Sequence, residues 1–578
     1  MKKLIIILGS FLLMAGVFTG CGEDFLNKNP IGQLDINTLS SEEGIGLLLV
    51  GAYANLDGTT EPDWIGSGGV PGNGWFAVTS NWHLSDVPSD DAYKGTEQGD
   101  QAPAEEVEAF THDANNPYFQ KKWIMVYDGI SRANDVLTVL EAAEGLGADF
   151  INQTTAEARF LRGFYHFEGK RVWNMIPYVD EKVEDPRVPN NADIWPQIEA
   201  DLEFAANNLP ETQSEVGRAT KWAATALLAR AHMYQGDYSA ALPLLNSIIG
   251  STQYALTDNF HHNFNAEFNN NSETVFAVQS AVNEGTDGFN GRWGDVLSGL
   301  QNGPGGCCGF HQPSQNLVNA YKTDDNGLPL LDTFNDSDVT SDEGLTGDDP
   351  FTPYAGNLDP RLDWTVGRRG IPYHDWGVHP GQPWVRQQSY GGPYSQKKNM
   401  YYQAQQGSLS TASGWTQMPN AINYNIIRYA DVLLMAAECE VESGSLENAR
   451  GLVNQVRARM VDNPDNWVKT DAGDDAANYV IGLYNDTWTE QAAARKATRF
   501  ERRLELAMEG HRFFDLVRWG VAADVINTYI QKEKNTRTYL ANASFQAGKN
   551  EYYPIPQEQI NLSILDGVPT LTQNPGYN

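Results

Sequence analysis

Leu227-Leu228-Ala229-Arg230-Ala231-His232-Met233-Tyr234-Gln235-Gly236-Asp237-Tyr238 recurs far down the chain as Met435-Ala436-Ala437-Glu438-Cys439-Glu440-Val441-Glu442-Ser443-Gly444-Ser445-Leu446. In this register Gly236 falls on Gly444. Beyond the turn, Ala241 falls on Ala449, Leu244 on Leu452, Leu245 on Val453 and Ile248 on Val456. Apolar residues return every three or four positions on both sides of the glycine, which is the spacing of one α-helical face. Each copy therefore reads as a helix, a glycine turn and a second helix. Small alanines let the two helices approach closely, and glycine accommodates the turn. One such pair cannot bury both of its faces, so other helices must stack on it.

Amphipathic helices are predicted over 121–143, 155–173, 194–209, 220–235 and 238–249, then over 424–460 and 489–531. Pro210 and Gly236-Asp237 supply stops. The repeated turn resembles a tetratricopeptide repeat. The fold expected is mainly α, a tetratricopeptide-like scaffold over about 40–250 and 424–578. A large loop-rich insert over about 251–423 would carry the ligand face, together with a second aromatic loop at 61–99. Within the insert, Gly, Pro, Asn, Asp, Trp and Tyr replace the helical stripes. Only Glu273-Thr274-Val275-Phe276-Ala277-Val278-Gln279-Ser280 alternates like a strand. Long irregular inserts of this kind are usually functional.

The chain has 578 residues, 41% of them apolar, and a formal charge of -34. The apolar content excludes wholesale disorder. The charge argues against a nucleic-acid binder and against a polybasic membrane-surface protein, because both need clustered Lys and Arg. Residues 1–20 read as a signal peptide: Lys2 and Lys3 precede a 15-residue apolar run, Leu4 to Phe18. The run ends in Val17-Phe18-Thr19-Gly20-Cys21, similar to the lipobox of bacterial lipoproteins. That marks Cys21 as the expected lipidation site of a mature chain over 21–578, a single domain anchored to a membrane with its body in water; ordinary secretion with cleavage near Ala15 is the alternative. Cys307 and Cys308 are either a vicinal disulfide or two half-buried thiols. Cys439 belongs to a core stripe.

Several blocks in order then resemble the SusD-like (RagB/SusD) family of Bacteroidetes outer-membrane lipoproteins. Cys21-Gly22-Glu23-Asp24-Phe25-Leu26 looks like its lipidated start, and Ala156 through Tyr165 and Arg428 through Glu438 are similar to family helices. Glu501-Arg502-Arg503-Leu504-Glu505-Leu506, continuing through Gly510-His511-Arg512-Phe513-Phe514-Asp515, is the most distinctive block. Tyr553-Pro554-Ile555-Pro556 and Gln573-Asn574-Pro575-Gly576-Tyr577 close the match. The resemblance implies a cell-surface outer-membrane protein that binds glycans without catalysis and partners a SusC-like TonB-dependent transporter. One branch of the family binds peptides.

Enzyme signatures are absent: there is no His-Glu-x-x-His, Gly-x-Ser-x-Gly or Walker-type loop. Glu501, Arg502, Arg503, Glu505 and Glu509 have the spacing of ion pairs on a helix surface, while Asp431 and Glu438 are expected to hold neighbouring elements together. His261-His262 reads as surface. No cofactor is expected. The acid-rich stretch 335–349 suits either a structural calcium ion or a solvated loop.

Tryptophans on loops carry the functional expectation. A sugar ring presents a face of C–H bonds that packs on indole, and indole has little rotamer freedom to lose. Trp75, Trp82 and Trp293 have Gly or Asn neighbours and are the chosen ligand residues, with Trp64, Tyr93, Arg292 and Asp91 beside them. Trp364 and Trp376 are expected to be framework. The expected ligand is an oligosaccharide or polysaccharide, first a neutral β-glucan such as laminarin. An acidic protein repels a polyanion unless Arg292, Arg368, Arg369 and Arg386 cluster. A RagB-like peptide binder and a surface glycosidase are the alternatives.

Overall fold

A computed structural model of the chain describes residues 39–58, 74–285, 290–412, 414 and 416–577. The expected signal peptide over 1–20, the expected lipidation site Cys21 and the candidate ligand residue Trp64 lie outside the described residues.

The repeated turns are built as their sequences require. Helix α1 (Lys221–Tyr234) and helix α2 (Tyr238–Gly250) flank Gly236, which takes a left-handed φ of 75°. Asp237 then caps α2 by accepting the Ala240 N–H at 3.0 Å. Helices α3 (Tyr429–Ser443) and α4 (Leu446–Asp462) repeat the arrangement, with Ser445 as cap for the Asn448 N–H. The residue after each glycine is thus a capping residue, which satisfies an otherwise orphaned helix-start donor. Helix α2 packs against α3, joining the two copies. Ala223, Ala224, Ala226, Ala229 and Ala231 are all buried along α1.

Earlier in the chain, the helices Pro117–Ala142, Ala148–Trp173 and Trp195–Asn208 extend the stack toward α1. Gly129 sets the closest approach: a Cβ there would lie 2.5 Å from the Tyr165 ring. Together these helices enclose the main core. A second, smaller apolar cluster fills the loop-rich half around Trp75, Trp82, Trp293, Phe310, Tyr401 and Met418.

Four expectations need correction. Residues 424–428 are not helical: strand Tyr424–Arg428 pairs antiparallel with strand Thr274–Val278, with Phe276 opposite Ile427. The Phe276 ring then packs edge-on against Phe160 of the scaffold at 4.9 Å. Tertiary pairing overrides local helical character here. The 489–531 stretch divides into helices Gln491–Leu506, Arg512–Arg518 and Ala522–Glu533. The first break falls where Gly510 has φ 77° and sits so close to the Ser80 carbonyl that no Cβ fits.

The third correction concerns the charged block on Gln491–Leu506, which is interior rather than surface. Glu505 takes Arg428 at 2.6 Å, Arg361 at 3.0 Å and Arg459, all of them side chains with at most 1% exposure. Arg361 also meets Asp359 and Glu501 at 2.7 Å each, and Arg457 meets Glu501 at 2.7 Å. Glu509 binds Arg428 at 2.9 Å and Lys398 at 2.6 Å. Buried charges persist only when paired, and here the partners come from the loop-rich half and from the scaffold. The network is a charged seam between the two. Asp431 and Glu438 do bridge elements as expected: Asp431 binds Arg230 and Arg502, and Glu438 binds Arg518 at 2.7 Å. His261 is also interior, stacked on Trp364 at 4.9 Å.

Candidate functional site

The two inserts chosen from sequence meet. Strand Ala92–Gly95 pairs antiparallel with strand Phe310–Pro313, placing Tyr93 opposite Gln312. Ahead of these strands the 3-10 turns Gly74–Phe76 and Trp293–Ser298 pack on each other. Ser80 donates to Asp295 at 2.7 Å, and Trp82 Nε1 donates to the Gly294 carbonyl at 3.4 Å. A Cβ on Gly294 would come within 2.3 Å of Val78, so the inserts touch there backbone to side chain. His311 lies 2.9 Å from Asp86.

That contact brings Trp75, Trp82, Trp293 and Arg292 together, but turned inward. Trp82 is 2% exposed, with the His311 ring stacked on it. Trp75 and Trp293 are 9% and 7% exposed, because each closes its own turn onto the second cluster. Arg292 is spent on Asp295 at 2.8 Å and Asn399 at 3.2 Å. Asp91 and Tyr93 lie deeper. Asp91 binds Arg503 at 2.7 Å, and the Tyr93 hydroxyl donates to Glu533 at 2.6 Å while accepting from Gln315 N–H at 3.1 Å. Burial drives the neighbouring Asp90 upward, but the Arg503 and Arg512 guanidiniums outweigh it and hold its carboxyl at about 2. The buried tyrosine and carboxylates fasten the inserts to the scaffold and do not face solvent.

Side chains packed on the second cluster that do reach the surface are Phe76, Ala266, Cys307, Trp376 and Trp384, each half-buried. Trp376 is held by its indole N–H on the Tyr401 carbonyl at 3.0 Å, and Trp364 likewise on Asn466 at 3.0 Å, as framework residues. Trp384 stands over Gly303, where a Cβ would come within 2.8 Å of the indole. Cys307 and Cys308 are joined in a disulfide. Sequence reasoning passed over Phe76, beside the chosen Trp75. It also passed over Trp384, although Gly381-Gln382-Pro383 before it is the same kind of loop signal.

A polar rim adjoins this face. Arg386 binds Asp100 at 2.7 Å, Glu97 at 2.5 Å and the Thr96 hydroxyl at 3.1 Å. Buried Lys94 ties the same loop from beneath, donating to the carbonyls of Asp100 at 2.6 Å and Glu97 at 3.2 Å. Burial pulls the Lys94 pKa down, opposed by Glu108 and Glu105. Gln98, Asn302 and Gln387 add exposed amides. Apolar rings and sulfur beside amides and carboxylates suit a ligand with C–H faces and hydroxyl edges. A groove of about 400 Å³ lies against Tyr53, Arg218 and Val278 on the scaffold, lined by aliphatic and polar side chains and none of the rings of the second cluster.

Arg368 pairs with Asp363 at 2.6 Å, and Arg369 donates to the carbonyls of Thr346, Gly347 and Asp349. With Arg292 and Arg386 also matched, the four arginines form no anion-binding cluster. Acids of 335–349 likewise meet the protein's own cations, Asp338 with Lys532 and Glu343 with Arg537. Among the described residues no group of three or more His, Cys, Asp or Glu is placed to hold a metal ion.

A family model described as "SusD family" matches residues 261–577, and one described as "Starch-binding associating with outer membrane" matches 76–233. A SusD-like protein of Formosa agariphila is 26% identical over 470 residues, 79% of each chain. A SusD superfamily protein from Bacteroides vulgatus superposes with a TM-score of 0.67 at 22% identity, covering 93% of this chain and 99% of that one. Surface glycan-binding protein A from Bacteroides thetaiotaomicron, solved in complex with laminarihexaose, gives 0.65 at 22% identity, covering 92% and 99%.

Proposed function

The chain belongs to the SusD family, and from that premise we propose that it is a cell-surface lipoprotein that binds a glycan, without cleaving it, for delivery to a SusC-like TonB-dependent transporter. One observation carries the binding role: the second apolar cluster comes to the surface through Phe76, Trp384 and Cys307, beside a rim of amides and carboxylates. The first of these groups receive C–H faces and the second receive hydroxyls. Binding energy comes from preorganised surface, since the rings and the disulfide are fixed before the ligand arrives.

A neutral β-glucan such as laminarin is the proposed ligand. Those four arginines are matched and the charge of -34 disfavours a polyanion, and the structural relative from Bacteroides thetaiotaomicron was solved with laminarihexaose. The lipobox-like stretch Val17-Phe18-Thr19-Gly20-Cys21 makes a lipid on Cys21 the proposed attachment. The proposed partner is the transporter.

Affinity electrophoresis against laminarin, starch, xylan, mannan and alginate tests the reading, alongside a reducing-end assay. Retardation by laminarin, abolished in Trp384→Ala, with no new reducing ends, is the expected result. Retardation by alginate alone overturns the neutral-sugar choice. Released reducing ends overturn binding without cleavage. A co-purified peptide with no glycan retardation transfers the face to peptides.

A further inference from the structure

We propose that the Cys307–Cys308 disulfide is itself a ligand-contacting surface: a glycan subsite with the bonded sulfurs as its floor and the Trp384 indole as its wall. This rests on the glycan-binding reading above and names one element of that site.

Disulfides ordinarily stabilise by closing a loop in the unfolded chain, and the gain grows with loop length. This one joins sequence neighbours, so it closes no loop and has almost no such stability to contribute. Its placement points elsewhere. Cys307 is half-exposed while Cys308 is buried beneath it, and Gly306 beside them is exposed with open space over its Cα.

Glycines press the surrounding loop into position. A Cβ on Gly299 would meet the Cys307 carbonyl at 2.2 Å, and one on Gly305 would meet Met418 Sδ at 2.6 Å. Backbone bonds then fix the disulfide from both sides: Cys308 N–H to Leu297 O at 3.1 Å and Gly309 N–H to Gly299 O at 2.7 Å. Trp384 packs over Gly303, and the Gly306 N–H closes the intervening turn on the Gly303 carbonyl at 3.1 Å. Indole and sulfurs therefore flank one short turn.

Chemically, a bonded cysteine pair has no ionisable thiol, no hydrogen-bond donor and no free rotamer. It is a rigid, polarisable, apolar plate, suited to dispersion contact with the C–H face of a pyranose ring. The polar rim adjoins the loop here, since the position of a Cβ on Gly309 lies 3.8 Å from Thr96 Cα and from Arg386 Cβ. An oxidising cell surface keeps the pair closed.

Calorimetric titration of the full chain with laminarihexaose tests this. The arms are wild type, Cys307→Ala/Cys308→Ala, Trp384→Ala, and wild type reduced with a phosphine and alkylated with iodoacetamide. With Cys21 replaced by serine in every arm and Cys439 buried, alkylation in the folded protein reports on 307 and 308. Expected is a loss of about tenfold in affinity for the double variant and the alkylated protein, with melting temperatures near that of wild type, and recovery when reduced, unalkylated protein is reoxidised. If both bind within about twofold of wild type while Trp384→Ala loses affinity, the disulfide subsite is wrong and the glycan reading stands. If wild type itself binds none of the glycans named above, both fall. Should the double variant fail to fold, the reduced protein decides: folded and binding normally, it overturns the subsite.

Discussion

Glu505→Gln probes the charged seam that joins the loop-rich half to the helices. Glu505 accepts from Arg428 at 2.6 Å, Arg361 at 3.0 Å and Arg459. Each guanidinium retains another acid: Arg428 keeps Glu509 at 2.9 Å, Arg361 keeps Asp359 at 2.7 Å, and Arg459 keeps Glu273 at 2.7 Å. Breaking a buried pair costs about 3–5 kcal/mol when it strands a charge. Here no arginine is stranded and the amide keeps one acceptor oxygen, which puts the loss near 3 kcal/mol. Unfolding entropy of about 2.1 cal/mol/K per residue gives about 1.2 kcal/mol/K for this length, so Tm falls by about 2–3 °C.

Scanning calorimetry across pH supplies the sharper test. Burial pushes Glu505 upward, but the guanidiniums of Arg459, Arg428 and Arg361 outweigh it and hold the carboxyl well below the usual range. A folded-state pKa depressed below the unfolded value of about 4.3 gives stability that is present above that value and lost as pH falls toward the folded one. The gap between wild type and Glu505→Gln is therefore constant from about pH 8 to 5 and narrows below about pH 4. Coincident melts at neutral pH, or a gap that persists unchanged in acid, refute the seam as described.

Tyr93→Phe removes the hydroxyl shared by Glu533 and Gln315; stability drops by about 1–3 kcal/mol in urea titration with glycan affinity unchanged, and a fall in affinity instead restores Tyr93 to the ligand face. Gly129→Ala drives a methyl to 2.5 Å from the Tyr165 ring and costs about 1–3 kcal/mol; an unmoved urea midpoint shows that the two helices are not in that contact. Gly294→Ala meets Val78 at 2.3 Å, lowering stability by about 1–3 kcal/mol and weakening laminarin retardation as the Trp75 turn shifts. Full retardation by that variant means that the meeting of the inserts does not position the face.

Helix pairs were legible because their information is local: periodic apolar residues, a glycine, then a capping Asp237 or Ser445. What failed was information held by distant partners. Tyr424–Arg428 runs without a break into a helix, and only its pairing with Thr274–Val278 makes it a strand. The Glu501–Glu509 spacing is the same on a wet face as in a seam. Burial is decided by Asp359, Arg361, Arg428 and Arg457 arriving from elsewhere. At the site, Gly and Asn neighbours correctly marked loop tryptophans and brought both inserts into view, yet they carry no sign of direction. Where the two loops meet, Trp75 and Trp293 are buried in the shared cluster, and the half-exposed positions fall to Phe76 and Trp384.

The clasp between the first insert and the second, through Ser80 and Asp295, Trp82 and Gly294, and the short ladder of Tyr93 and Gln312, sets a rule for anyone transplanting recognition between relatives. Neither segment is a portable cassette. Exchanged singly, each would face a foreign counterpart and lose its shape. Moved as a matched couple, they could change what the protein recognises while the stacked helices stay as they are.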